Sequence, residues 1–126
     1  MDTQTWITIN KYYQAVWEDF SDEKLSEIFD DDMELSYRGT EYSHGKEEVL
    51  KTYRVNFFDS CKLDSTRLFD FHIQPHLNLG RISVSYTLLQ FNELCGDRFG
   101  HVNESFELTN DNKKIKKLVI VSTFMT

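Results

Sequence analysis

The segment HVNESFEL, residues 101–108, alternates with one misfit. Val102, Phe106 and Leu108 share one phase of a two-residue repeat and line one face of a strand, but the remaining member of that phase is Glu104. An ionised carboxylate is so costly to bury alone that the group either finds a partner or stays protonated with a raised pKa. Neutral, Glu104 is a hydrogen-bond donor inside an apolar hollow. Paired with Arg38, Arg54 or Arg81, or reaching solvent at a cavity mouth, it is a structural residue.

Aromatic residues supply the remaining candidates. Tyr13 lies on an apolar helical stripe, where a tyrosine is either a core residue whose hydroxyl finds a carbonyl or a polar contact for a bound molecule. Trp17, Tyr53, Phe57 and Tyr86 would wall any cavity between helices and sheet, and Tyr37 would add a hydroxyl to it. Such a cavity suits a small apolar or aromatic ligand. His72 and His76 share a phase with Asp70 and Gln74, opposite Phe69, Phe71 and Ile73, which predicts a solvated face. Two residues four apart on a strand stand about 13 Å from each other, too far to share one ion, so no metal site is expected. His72 suits a general base near neutral pH if a bulge at Pro75 turns it inward.

These residues need elements to hold them. Trp6, Ile9, Tyr13, Val16, Trp17 and Phe20 recur every three or four residues and predict a helix over about residues 4–20. Ser21, followed by Asp22 and Glu23, caps a second short helix through Leu25, Ile28 and Phe29. Met33, Leu35 and Tyr37 alternate as a short strand, and a third helix begins near Gly45 and carries Val49, Leu50, Tyr53, Phe57 and Cys61. Everything beyond reads as strand: Phe69 to Ile73, then Ile82 to Leu88 after a turn near Asn78 and Gly80, then the Glu104 strand after a turn at CGDRFG. The last strand, KIKKLVIVSTFM, is apolar in both phases. Since one face of an antiparallel sheet is commonly wet, its outer face calls for a cover, and a homodimer is the expected one. The fold class is α+β, with three helices on a curved antiparallel sheet.

Composition narrows the partners. The 126 residues, 40% hydrophobic and 14% aromatic, fit a single domain spanning 1–126. A net charge of -7 repels polyphosphate, so nucleic acid is not an expected partner, and the lysines at 113, 114, 116 and 117 read as a solvated turn. No stretch approaches the roughly 20 apolar residues of a membrane span and the N-terminus lacks a signal-peptide pattern, which predicts a cytoplasmic protein. Cys61 and Cys95 have neither CxxC spacing nor an adjacent histidine and read as buried or loop thiols. The chain carries no glycine-rich phosphate loop, GxSxG or HExxH, and no cofactor is expected.

The order of elements, with FDDDMELSYRG at 29–39 after two helices and a glycine opening the third, resembles the nuclear transport factor 2-like superfamily. That group includes ketosteroid isomerases, SnoaL-type polyketide cyclases and scytalone dehydratase. The resemblance implies a cone with an internal pocket. It also implies that Tyr13 stands where those isomerases donate to the substrate oxygen, with Glu104 as the protonated acid beside it. Where their proton-moving aspartate belongs, this sequence has Tyr37. Three readings follow: a small-molecule-binding domain; a cofactor-independent isomerase, cyclase or dehydratase with Tyr13 and Glu104 on a developing oxyanion and His72, Asp70 or water as base; and an adaptor acting through its outer sheet face.

Overall fold

The structure, a computed structural model, describes residues 2–39, 41–58, 65–76, 80–91 and 96–125. Cys61, Cys95 and the turn at Asn78 lie outside them. Helix α1 (Thr3–Trp17) starts at Asp2, whose carboxylate accepts from the Thr5 amide at 2.8 Å. Its other oxygen accepts from Asn112 Nδ2 at 2.9 Å, and the Thr8 hydroxyl donates to the Asn112 carbonyl at 2.5 Å. The start of α1 is thus tied to the turn between the last two strands. The helix stops three residues earlier than its apolar spacing predicts, because Phe20 takes a left-handed φ of 49°.

Helix α2 (Asp22–Ile28) is capped by the Ser21 hydroxyl, which accepts from the Lys24 amide at 3.1 Å. Phe29 leaves the helix and opens β1 (Phe29–Tyr37). A short strand absent from the sequence reading, β2 (Glu41–His44), pairs with β1. Helix α3 (Lys46–Tyr53) then widens into one π-helical turn, Arg54–Phe58. Four long strands follow: β3 (Ser65–His76), β4 (Arg81–Phe91), β5 (Arg98–Leu108) and β6 (Ile115–Met125). Arg98, Phe99 and Gly100, expected in a turn, already belong to β5.

The six strands lie in the order β2-β1-β6-β5-β4-β3, in a curved and unclosed sheet. Every pairing is antiparallel except β1 with β6, which run parallel. The inner face holds the core. Across it run the rows Ile73, Val84, Glu104, Ile120 and Tyr37, then Pro75, Ile82, Phe106, Leu118 and Leu35. On β5, Val102, Glu104, Phe106 and Leu108 are all buried, so the misfit carboxylate does point inward.

One expected alternation breaks. The β3–β4 register shifts between Phe69 and His72, where Asp70 adopts a left-handed φ of 61°. The extra residue puts Phe69 opposite Thr87 on the outer face, while Phe71 turns inward against Tyr13 and Tyr86. Phe69 and Phe71 therefore do not share a face. The bulge lies at Asp70 rather than Pro75, and it leaves His72 in the outer row with Ser85, Asn103 and Val121.

Candidate functional site

Glu104 sits at the middle of β5 beneath the centre of α1. The hydroxyl of Tyr13 donates to its Oε1 at 2.8 Å and that of Tyr12 to its Oε2 at 3.3 Å. These neighbours on the helix straddle the carboxyl with their rings edge to face, centroids 5.2 Å apart. Tyr86, on β4, adds a third phenol that interacts with Glu104. From the end of α3, Tyr53 meets Tyr12 hydroxyl to hydroxyl at 2.5 Å. Four phenols on three elements thus converge around one acid.

The arginines that the sequence offered as partners are engaged elsewhere. Arg54 pairs with Asp22 and Arg81 with Glu107, at 2.7 and 2.8 Å, while Arg38 lies 4.9 Å over the Tyr37 ring. Burial therefore dominates the acidity of Glu104 and pushes its pKa up to about 7, against the opposing pull of the Tyr13, Tyr86 and Tyr12 hydroxyls. The same burial, reinforced by the carboxylate, drives the Tyr12 and Tyr13 phenols well above their ordinary range. Near neutral pH only Glu104 in this cluster exchanges its proton.

Beside the carboxyl lies a cavity of about 30 Å³, whose walls include Tyr12, Trp17, Tyr37, Phe57, Tyr86 and Glu104. Leu88, Val102, Ile120 and Ser122 complete them. That space matches one water molecule. Phe57, on the π-helical turn, stacks on Tyr53 with centroids 4.9 Å apart and touches Trp17 edge-on at 6.2 Å. Trp17, Phe57 and Ser122 are the half-buried members of the lining, so the cavity meets the surface between them.

The structure brings Tyr13, Trp17, Tyr37, Tyr53, Phe57, Tyr86 and Glu104 into or against this cluster. It does not bring His72. That side chain is 77% exposed on the outer face, with Asp70 Oδ1 4.0 Å from its Nε2. Tyr12 is the participant the sequence reading missed. It belongs to the buried stripe Thr5, Thr8, Ile9, Tyr12, Ala15 and Val16, in which three small or weakly apolar residues hide the true face of the helix. A larger groove, about 320 Å³, lies on the outer face among Gln74, Ser83, Ser85, Asn103, Ser105 and Val121.

No protein-family model matches the sequence, and no curated protein matches it. Solved structures do. A protein assigned as a SnoaL-like polyketide cyclase from Jannaschia sp. CCS1 superposes with a TM-score of 0.75 at 11% identity, covering 96% of this chain and 86% of that one. The chain has the nuclear transport factor 2-like fold. Another protein of this fold, assigned as a polyketide cyclase from Xanthomonas campestris pv. campestris, gives 0.74 at 12% identity over 94% of this chain and 89% of its own. A protein assigned as a ketosteroid isomerase from Kribbella flavida gives 0.69 at 13% identity, over 98% and 80%. At such identities the likeness concerns the fold, and the chemistry rests on this chain's own residues.

Proposed function

We propose that this protein binds a small apolar or aromatic molecule between its helices and sheet, with Glu104 and the surrounding phenols as the polar recognition group. The observation that carries this reading is a fully buried carboxyl on the wall of an aromatic-lined cavity, held by tyrosine hydroxyls. An acid so placed offers a ligand either a donor or an acceptor near neutral pH, at a site from which water is largely excluded. A ring-sized ligand needs more than 30 Å³, and the side chain that must yield is Phe57, which is half-buried and carried by the π-helical turn. Binding to the native state raises thermal stability. Millimolar phenol or toluene should therefore raise the melting temperature of the wild type, and more so that of Phe57→Ala. Absence of a shift in both proteins would refute the reading.

The same acid supports a catalytic version of the site. A carboxyl with a pKa of about 7 is suited to giving up and retrieving a proton at neutral pH, as a cofactor-independent isomerase, cyclase or dehydratase requires. His72 has no part in it, and Glu104 itself is the proton carrier.

The outer face favours a second copy of the chain as its occupant. Its central rows carry Gln74, Ser83, Ser85, Asn103, Ser105, Val119 and Val121 beside His72, with no Asp, Glu, Lys or Arg among them, on a chain of net charge -7. Two such faces meet without the repulsion that the rest of the surface imposes. Val121, 51% exposed at the centre, is the residue to test. Light scattering should give twice the chain mass for the wild type and the chain mass for Val121→Glu; a monomeric wild type at micromolar concentration would rule the dimer out.

A further inference from the structure

We infer that Asn56 sets the size of molecule the cavity accepts: it holds residues 54–58 in the π-helical turn that keeps Phe57 in the mouth, and a ring-sized ligand enters when that turn narrows to the α register. The inference rests on the small-molecule reading of the cavity and goes further by naming the residue and the backbone change that control entry.

A π-helical turn is rare, so something local must sustain it. Two interactions do. The Asn56 side-chain amide donates to the Thr52 carbonyl at 3.0 Å. In an α-helix that carbonyl receives the backbone amide four positions on, which is that of Asn56 itself, so the carboxamide competes with the α-helical bond at this point. The second interaction is packing. Phe57 and Phe58 both lie against the Tyr53 ring, with centroids 4.9 and 6.4 Å from it. At the α-helical step of about 100° per residue, position 58 would stand about 140° round the axis from Tyr53, and an α-turn could not keep both rings there.

The turn is anchored at its start. Thr52 Oγ1 lies 2.7 Å from Ser43 Oγ on β2, the Arg54 amide reaches the Leu50 carbonyl as in an α-helix, and the Arg54 guanidinium pairs with Asp22 of α2 at 2.7 Å. Beyond these contacts Val55 is exposed, and Phe57 and Phe58 are only half-buried. Phe57 is the ring that the turn delivers to the cavity, where it meets Trp17 and lies 5.3 Å from Tyr37. Narrowing the turn rotates Phe57 about the helix axis out of these contacts and releases the space a benzene-sized molecule fills. Such a ligand binds the α register better than the π register and so shifts the turn toward it. The Asn56 bond opposes that shift, and apparent affinity falls by the rarity of the open register.

Toluene and NMR spectra of the full chain test this. In the wild type the Tyr53 Hα and the Phe58 amide proton, five positions apart, should show a contact that only the π register brings about, and saturation with toluene should abolish it. Asn56→Ala should lose the contact without ligand and bind toluene about fivefold more tightly, the factor one competing hydrogen bond is worth. Asn56→Ser, whose hydroxyl donates to the same carbonyl, should bind as the wild type does. Persistence of the 53–58 contact in toluene-saturated protein, equal affinities of wild type and Asn56→Ala, or a fivefold gain in Asn56→Ser would overturn the role of Asn56 yet leave a small-molecule cavity in place. If toluene bound neither the wild type nor Asn56→Ala, the proposed function would fall, and this inference with it. Should Asn56→Ala fail to fold, the wild-type contact with and without toluene decides the matter alone.

Discussion

The hydroxyl of Tyr13 donates to Oε1 of Glu104 at 2.8 Å across 91 residues of chain, joining the middle of α1 to the middle of β5. This contact places an exchangeable proton at the junction of helix and sheet, where it couples stability to pH. In the unfolded chain Glu104 titrates near its ordinary 4.5, and in the native protein near 7. The native state therefore holds the proton more tightly. Stability from this group is greatest below pH 4.5 and declines as pH rises to about 7, by about 3 kcal/mol in order of magnitude. Glu104→Gln removes the titration. Denaturant melts of both proteins between pH 4 and 8.5 should show the wild type losing ground to the variant over that window and a constant difference above it.

Loss of the Tyr12 hydroxyl should cost more than loss of the Tyr53 hydroxyl. Tyr12 touches both Tyr53 and Glu104, so Tyr12→Phe leaves two buried groups short of a partner, at a cost of about 1–3 kcal/mol. Tyr53→Phe leaves only one. Tyr13→Phe should in addition raise the apparent pKa of Glu104 above its wild-type value, because a hydrogen bond that favours the ionised form is gone. Carboxyl ¹³C shifts of Glu104 followed against pH would read this out.

Asn112 holds a left-handed φ of 61° while its side chain binds the Asp2 cap and its carbonyl receives Thr8. Asn112→Gly keeps the backbone conformation and loses one exposed hydrogen bond, so it should cost a few tenths of a kcal/mol. Asn112→Ala adds the strain of a side chain in the left-handed region and should cost about 1 kcal/mol more. Asp2→Ala should also lose about 1 kcal/mol, through the uncapped helix. Thermal melts rank the three.

Asp70→Val should strain the site from the sheet's edge. A β-branched residue resists the left-handed φ on which the bulge depends, and the bulge is what turns Phe71 inward against Tyr13 and Tyr86 while Phe69 faces out. The near-ultraviolet circular dichroism of the tyrosine cluster should weaken and stability should fall by about 1–2 kcal/mol. Asp70→Gly, which permits the same φ, should leave both nearly unchanged.

The candidate site was legible where period and chemistry disagreed. Glu104 announced itself because a strand has only two faces, and a residue out of character with its phase stands out within four positions. Tyr12 did not, since its companions Thr5, Thr8 and Ala15 carry too little apolar signal, whereas Trp6 and Phe20, 46% and 41% exposed, pulled the apparent stripe around the helix. The inward turn of Phe71 depends on the backbone of Asp70, and aspartate is only one of several residues that enter the left-handed region. Likewise, the helices and long strands followed from local spacing. The parallel seam between β1 and β6 did not, because no local pattern says which distant strand will lie beside another.

That seam has a consequence during synthesis. Residues 115–125 fill the gap between β1 and β5, so a nascent chain still holding them inside the ribosome has two half-sheets with open edges and uncovered apolar rows. For the seconds before the final strand emerges, chaperones and neighbouring nascent chains compete for the place it will take.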